Sequence, residues 1–331
     1  MKLSVLDQSV ACTGRDEGHA LRDTLDLAVH CEALGYERFW VSEHHGMPTI
    51  VGSAPEVLMA AIAARTTRIR IGSAGVMLPH YAALKVAEQF RVLDALAPGR
   101  IDLGVGRAPG SDRRFALALN PHASPSADDF PQQVVDLQAW TSGLAHQGLQ
   151  AHPLPAEGVS TPEVWILGSS DYGAQLAAYL GLPYAFAYFF MDGQGVEQAL
   201  DLYRRQYRPS ARHPEPQPTI CVWALAADSA AEARHHALSR ERWRLDRQRG
   251  VLGPLQAPDV LAARGYTAAE KAEVDALRRR SLVGSIDQVA TGMRQLAAAL
   301  GLQHLVVNTW AHDPAARRQS YALLAREFSL A

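Results

Sequence analysis

Val164-Trp165-Ile166-Leu167-Gly168-Ser169-Ser170-Asp171-Tyr172-Gly173 is the stretch that decides the architecture. Four apolar residues in a row cannot turn one face to water and the other to a core. They read instead as a strand covered on both sides. A Gly-Ser-Ser turn follows, and the helical pattern of residues 173–180 begins at once. Strand, turn and helix in so short a span make one βα unit, and such units build parallel sheets.

Outward from it the alternation recurs. Residues 3–6, 36–42, 69–77, 101–105, 164–167, 183–189, 219–226 and 304–308 read as strands. Leu21, Leu25, Ala28, Cys31 and Leu34 recur at helical spacing over residues 20–34, and Gly35 ends the run. Helices are further predicted over 54–65, 82–97, 132–142, 195–207, 228–249 and 285–301, and from Asp313-Pro314 onward. Capping boxes are expected at Ser53-Ala54-Pro55-Glu56, Thr267-Ala268-Ala269-Glu270 and Ser285-Ile286-Asp287-Gln288. Eight strands, each followed by helix, in 331 residues predict an α/β fold. A (β/α)8 TIM barrel, one domain over residues 1–331, fits them better than a doubly wound sheet with a second domain. Residues 108–162 and 250–283 are long βα-loop insertions in this reading. Such loops lie at the C-terminal mouth of a barrel, where its chemistry is done.

Composition narrows the classes. Thirty-two Lys+Arg against 34 Asp+Glu leave a formal charge of −2, without the basic footprint of a nucleic-acid binder. No apolar run approaches the ~20 residues needed to span a bilayer, and residues 184–191 are only strand-sized. The opening MKLSVLDQSV reaches Asp7 after a single Lys and does not read as a signal peptide. A cytoplasmic protein with no membrane or nucleic-acid partner is therefore expected. Cys12, Cys31 and Cys221 are too scattered for a disulfide framework or a Cys-x-x-Cys metal site.

In a barrel the strand ends are the places to search: Asp7, Glu43-His44-His45, residues 75–79, Gly106-Arg107, Gly168-Ser169-Ser170, Tyr188, Ala226 and Asn308-Thr309-Trp310. Successive side chains of a strand point oppositely, so two metal ligands on one strand need His-x-His spacing, which the chain lacks. No metal is expected. A histidine at the mouth can give or take a proton near neutral pH, with Glu43 to orient or charge it. An exposed histidine pair with no role is the competing reading. Gly104-Val105-Gly106-Arg107-Ala108-Pro109-Gly110 imitates a dinucleotide fingerprint but has Pro109 where the third glycine belongs. It leaves Arg107 at a strand end. Gly168 to Gly173 offers free N–H groups, a helix dipole and two hydroxyls to an anion. Ordinary capping by Ser170 or Asp171 explains the same residues. Together with Arg107 the turn suggests a phosphate group held across the mouth. Tyr184, Phe186, Phe189 and Phe190 are read as core, and Tyr188 as the aromatic facing the mouth.

Leu6-Asp7-Gln8-Ser9, Trp40-Val-Ser-Glu-His-His45, Ile71-Gly-Ser-Ala-Gly-Val-Met-Leu-Pro79, Ala87-Glu88, Pro98-Gly-Arg-Ile-Asp-Leu-Gly-Val-Gly-Arg107 and Gly168-Ser-Ser170 together resemble the luciferase-like flavin monooxygenases. The match covers nearly the whole chain in the same order. It is nearest the single-chain oxidoreductases of bacterial secondary metabolism. The resemblance implies a usually dimeric barrel that uses reduced FMN and O2. It makes His44 the catalytic histidine with Glu43 beside it. A non-proline cis peptide is implied at Ala74-Gly75, against which the isoalloxazine packs. Arg107, Ser169, Ser170 and the amides near Tyr172 and Gly173 would hold the phosphate, with Tyr188 near the flavin. Gly106 stands where light-emitting members carry a reactive Cys, and Gly173 lacks a hydroxyl often found at that position.

The chemistry implied is a flavin C4a-peroxide that passes an oxygen atom to a small organic substrate while His44 manages the proton. The reduced FMN would come from a separate flavin reductase, because the chain carries no nicotinamide fingerprint. The two insertions would supply a lid. Three alternatives stay open: F420-dependent hydride transfer on the same fold, a flavin-binding protein without turnover, and a metal hydrolase. A homodimer is expected from Val57, Leu58, Ala61, Ile62 and Ala64 spread around helix 54–65, although barrel packing explains them equally.

Overall fold

The computed structural model describes residues 1–108, 112–121, 128–159, 161–190 and 192–330. Its strands are β1 (Lys2–Asp7), β2 (Arg38–Val41), β3 (Arg70–Met77), β4 (Ile101–Gly106), β5 (Glu163–Gly168), β6 (Tyr184–Phe186), β7 (Pro218–Ala227), β8 (Leu282–Ser285) and β9 (His304–Asn308). The helices are α1 (Glu17–Ala33), α2 (Pro55–Ala63), α3 (Ala83–Leu96), α4 (Arg113–Leu119), α5 (Phe130–Thr141) and α6 (Asp171–Leu180). They continue as α7 (Val196–Gln206), α8 (Ala230–Gln248), α9 (Pro258–Arg264), α10 (Ala268–Arg278), α11 (Ile286–Ala299) and α12 (Pro314–Glu327).

Strand order runs β6-β5-β4-β3-β2-β1-β9-β7, and β6 also pairs with β7, which closes a ring of eight. The registers of β1 with β9, β2 with β3, β3 with β4, β4 with β5, β5 with β6 and β6 with β7 are all parallel. This is the (β/α)8 barrel, built from the eight strands that the spacing predicts. The ninth strand, β8, lies beside β7 and straddles the end of the stretch 250–283 read as insertion. Four residues with a central Gly carry too little pattern to announce a strand.

By packing, the chain divides into two compact units, one of Met1–Glu37, Met47–Val51 and Cys221–Ala331, the other of Arg38–Gly46 and Gly52–Ile220. In the first, Leu3, Leu27 and Tyr321 are fully buried, and Tyr36 meets Tyr321 edge-on at 5.6 Å. In the second, Trp40 packs edge-on against Trp165 at 5.1 Å, beside buried Phe39, Phe90 and Phe130.

The N-terminal strand ends of the second unit carry a buried ion network. Asp102 accepts from Arg38 at 2.8 Å, from Trp40 Nε1 at 2.9 Å and from Arg70. Glu163 accepts from Arg38 at 2.8 Å and from Trp165 Nε1 at 2.9 Å. Burial pushes the Asp102 carboxyl up, but the two guanidinium groups outweigh it and hold it below the ordinary range. This pole of a barrel serves stability rather than chemistry.

Two caps follow expectation and one does not. Thr267 and Glu270 form a reciprocal capping box, as do Ser285 and Gln288. Helix α2 instead starts one residue later, from Ala54, whose side chain has no oxygen to cap it, with Pro55 in its first turn. Residues 183–189 are not one strand: β6 stops at Phe186 and Tyr188–Phe190 form a 3-10 turn. Pro109, Gly110 and Met191, which belong to sequence patterns discussed above, lie outside the described residues.

Candidate functional site

Parallel registers put the C-terminal ends of β2 to β6 on one rim of the second unit. Every flavin-site residue expected from the sequence lies there. The first cluster follows β2. Glu43 is only 1% exposed, and its Oε1 accepts from His45 Nε2 at 2.7 Å and from the Tyr81 hydroxyl at 2.6 Å. Its Oε2 accepts from the Met77 backbone N–H at 3.0 Å. Tyr81 comes just after the 3-10 turn Leu78–His80 that follows β3. Burial, and then the bond to Glu43, pushes its phenol well above the ordinary range, so it remains a donor.

Helix α5 and the residue after α4 grip this turn. Gln133 donates to the Tyr81 carbonyl at 3.3 Å, and Asn120 donates to that of Pro79 at 3.2 Å. The insertion 108–162 is therefore packed onto the segment that supplies Tyr81. It also reaches the loop that carries the histidines, because the Phe115 ring of α4 lies directly over Gly46. His44 is half-buried, with its backbone N–H donating to the Gly52 carbonyl at 2.9 Å. Of the histidine pair that Glu43 is expected to orient or charge, His45 is the one whose imidazole is seen hydrogen-bonded to it. Glu43 and His45 are two residues apart, and extended backbone places such residues on one side. Tyr81 and the Met77 amide carry no sequence pattern of this kind.

The second cluster lies in β3. The Ala74–Gly75 peptide is cis, as the resemblance implies. Register with β4 shifts between Ala74 and Val76, and both Ala74 and Gly75 are half-exposed between buried neighbours. A Cβ at Gly75 would meet Leu167 Cδ1 at 2.5 Å and the Gly104 carbonyl at 2.9 Å. Only glycine fits this close approach to β4 and to Leu167.

The third cluster joins β4 to β5. Arg107 is exposed, with its guanidinium over the Tyr172 ring at 4.0 Å. Ser169 and Ser170 are also exposed, and Ser170 is the N-cap of α6 but makes no side-chain cap bond. The first N–H groups of α6 thus keep their donors, with the helix dipole behind them and one cation beside them. Gly173 is buried, with an added Cβ reaching Tyr184 at 3.3 Å. Such a set suits a phosphate monoester. With the open β3 backbone nearby in strand order, the residues present fit FMN. Tyr188 is half-exposed in its 3-10 turn, its carbonyl accepting from Gly193 N–H at 2.9 Å.

The remaining strand ends belong to the first unit. Asp7 accepts from Ser9 N at 2.9 Å, from Thr24 at 2.6 Å and from Arg317 at 2.9 Å, so its carboxylate is spent on structure. Gln8 Oε1 accepts from Asn308 at 2.6 Å and from the Trp310 indole at 3.2 Å. Thr309 Oγ1 donates to the Ala224 carbonyl at 2.8 Å, and Ala226 N–H donates to Ser320 at 3.0 Å. Burial raises the Cys12 thiol to about 11 and pushes Cys31 and Cys221 up as well, which leaves them unreactive. Among the described residues no group of His, Cys, Asp and Glu could hold a metal, and no helix is long and apolar enough to cross a membrane.

Fold and rim define a (β/α)8 barrel with an anion cradle, a buried carboxylate and two histidines at its C-terminal mouth. The chain belongs to the luciferase-like monooxygenase family, whose model matches residues 1–304, and it is an oxidoreductase of that family. It is 40% identical to a luciferase-like monooxygenase of Escherichia coli (strain K12) over 320 residues, 97% of this chain and 95% of the relative. It is 34% identical to the N-acetyl-S-alkylcysteine monooxygenase of Bacillus subtilis (strain 168) over 331 residues, 98% and 97% of the two chains. Crystalline apo-MsnO8 superposes with a TM-score of 0.92 at 37% identity, covering 100% of this chain and 99% of that one.

Proposed function

We propose that the protein uses reduced FMN, delivered by a separate flavin reductase, and O2 to oxygenate a small organic substrate. The observation that carries this reading is the α6 N-terminus left without a side-chain cap, with Arg107 and two exposed seryl hydroxyls around it. Reduced FMN, when bound, activates O2 so that one oxygen atom enters the substrate and the other leaves as water. Ser169, Ser170, Arg107 and the amides of Tyr172 and Gly173 hold its phosphate. The Ala74–Gly75 backbone supports its ring, and Tyr188 lies beside it. His44 moves a proton at the reacting oxygen. The insertion helices α4 and α5 exclude water from the mouth.

Anaerobic titration with reduced FMN and with reduced F420 tests the cofactor. Tighter binding of F420 replaces this reading with hydride transfer. Admitting 18O2 to the FMN complex with N-acetyl-S-methylcysteine and other small thioethers, amines and ketones tests the reaction. Stoichiometric FMN capture with no labelled product in the panel would make the protein a flavin binder. Unchanged product formation by His44→Ala would remove that residue's role.

The reading includes a homodimer. Val57 on α2 and Val92 and Leu96 on α3 are 63%, 48% and 66% exposed and line one groove with Ala60 and Leu93. Of the five residues singled out in the sequence, four in α2 and Ala64 just after it, only Ile62 is buried, which leaves most of that surface available to a second copy. Light scattering at the mass of one chain would end the dimer proposal.

A further inference from the structure

We infer that Glu43 and Tyr81 are positioning residues that fix His45 with its Nδ1 as a second proton-exchanging atom, beside His44. The inference rests on the proposed monooxygenation only for what the proton is used on. Its geometry stands on the carboxylate. Glu43 is buried, and a buried ion persists only when its lone pairs are met. Here three donors meet them, the His45 Nε2, the Tyr81 hydroxyl and the Met77 amide.

A carboxylate only accepts, so the proton shared with His45 sits on Nε2. The Tyr81 oxygen is 3.4 Å from the same Nε2, a far longer approach than its 2.6 Å bond to Glu43. The phenol proton is thus committed to the carboxylate and does not compete for the imidazole. Neutral His45 must then carry its lone pair on Nδ1, across the ring from the anchor. No hydrogen bond among the described residues uses that nitrogen. The ring is held at its sides too, with His80 edge-on at 6.2 Å. When Nδ1 takes a proton, the imidazolium forms beside a carboxylate already in place, so no group has to reorganise. This is how a buried acid serves a histidine base in hydrolytic triads. In this chain the acid lies two residues upstream of the base it holds.

Tyr81 makes the arrangement dependent on the loop after β3. That loop is itself held by Gln133 of α5. The carboxylate sets the tautomer of His45, and packing of the insertion bears on how firmly the ring is held.

The test reads the ring directly on the full chain. Histidine labelled with 15N, with the His45 signals assigned by their loss in His45→Gln, reports which nitrogen bears the proton in long-range 1H–15N spectra. The expected result is a neutral His45 protonated at Nε2 and bare at Nδ1. Glu43→Gln should mix the two tautomers, and Tyr81→Phe should leave the tautomer while broadening its signals. A wild-type ring protonated at Nδ1 overturns the inference without need of any variant, as does an unchanged single tautomer in folded Glu43→Gln. In the oxygenation reaction His45→Gln should lower turnover about 100-fold, within the ordinary range for acid–base catalysis, with reduced-FMN affinity held within about twofold. Unchanged turnover overturns the proton role. If the wild type takes up no reduced FMN, the proposed function falls while the tautomer result still decides the positioning.

Discussion

The guanidinium of Arg107 lies over the ring of Tyr172, 4.0 Å from its centroid, although 65 positions separate them. Tyr172 is the second residue of α6, so the stack brings the cation to that helix's N-terminus. An arginine pinned in this way has lost its conformational freedom before an anion arrives.

A charge-assisted hydrogen bond of this kind contributes about 1.5–3 kcal/mol, or roughly ten- to a hundredfold in affinity. Arg107→Ala should therefore weaken reduced-FMN binding by about that factor, measured by anaerobic titration. Riboflavin, which has no phosphate, should bind equally to both forms. Equal losses for FMN and riboflavin would show that Arg107 does not read the phosphate. Tyr172→Phe keeps the stacked ring and should change FMN affinity less than twofold.

Gly75→Ala should be costly for a different reason. The new Cβ meets a flexible methyl of Leu167 at 2.5 Å and a fixed carbonyl, Gly104 O, at 2.9 Å. Forcing a methyl into such a site costs about 1–3 kcal/mol. Denaturant titration should show that loss. Adding Leu167→Ala should recover only part of it, because the carbonyl cannot yield. Full recovery would mean that the backbone contact is not the obstacle.

The opposite pole of the barrel predicts a pH effect. Asp102 is held below the ordinary carboxylate range by Arg38 and Arg70, against the upward push of burial. A depressed folded-state value means that its stabilisation is complete above the unfolded value near ~3.9 and is lost as pH falls through the folded one. Wild-type stability should therefore drop below about pH 4. Asp102→Asn should unfold about 1.5–3 kcal/mol more easily at neutral pH, since Arg38 and Arg70 lose a charged acceptor while Arg38 keeps Glu163 and Arg70 keeps the Gly99 carbonyl. Its stability should vary less with acid. An Asn variant as stable as the wild type at pH 7 would remove the network from the account of the fold.

How far the sequence carries depends on which signal each feature leaves. Apolar runs such as Val164 to Leu167 betray doubly covered strands, so the eight strands of the ring can be read directly. Helix α4 cannot, because it has no buried face to imprint a period, and β8 is too short. The phosphate cradle is legible because a strand, Gly-Ser-Ser and a helix must place their donors together. The Glu43 cluster is legible only in part. Alternation pairs Glu43 with His45 rather than with His44, and the same rule that argues against a metal on this strand implies that pairing. Tyr81 leaves no local trace, since a 38-residue separation and a 3-10 turn bring its hydroxyl to Glu43.

Phe115 offers the sharpest test of the insertion as a water barrier. Its ring occupies the space in which Gly46 would carry a Cβ, 2.1 Å from Cε2, although the side chain itself is 43% exposed. The contact thus holds α4 down on the residue following His45 by close approach rather than by deep burial. Gly46 has φ of +62°, so an alanine there meets both backbone strain and the ring. Gly46→Ala and Phe115→Ala should therefore act alike: each frees α4 and lets water reach the histidines. Amide exchange at residues 43–46 should quicken about tenfold in both. The fraction of reduced FMN oxidised without product should rise, while Arg107-dependent phosphate binding stays intact. If exchange quickens but product yield per FMN does not fall, α4 covers the histidines without guarding the chemistry. If neither changes, the cover lies elsewhere.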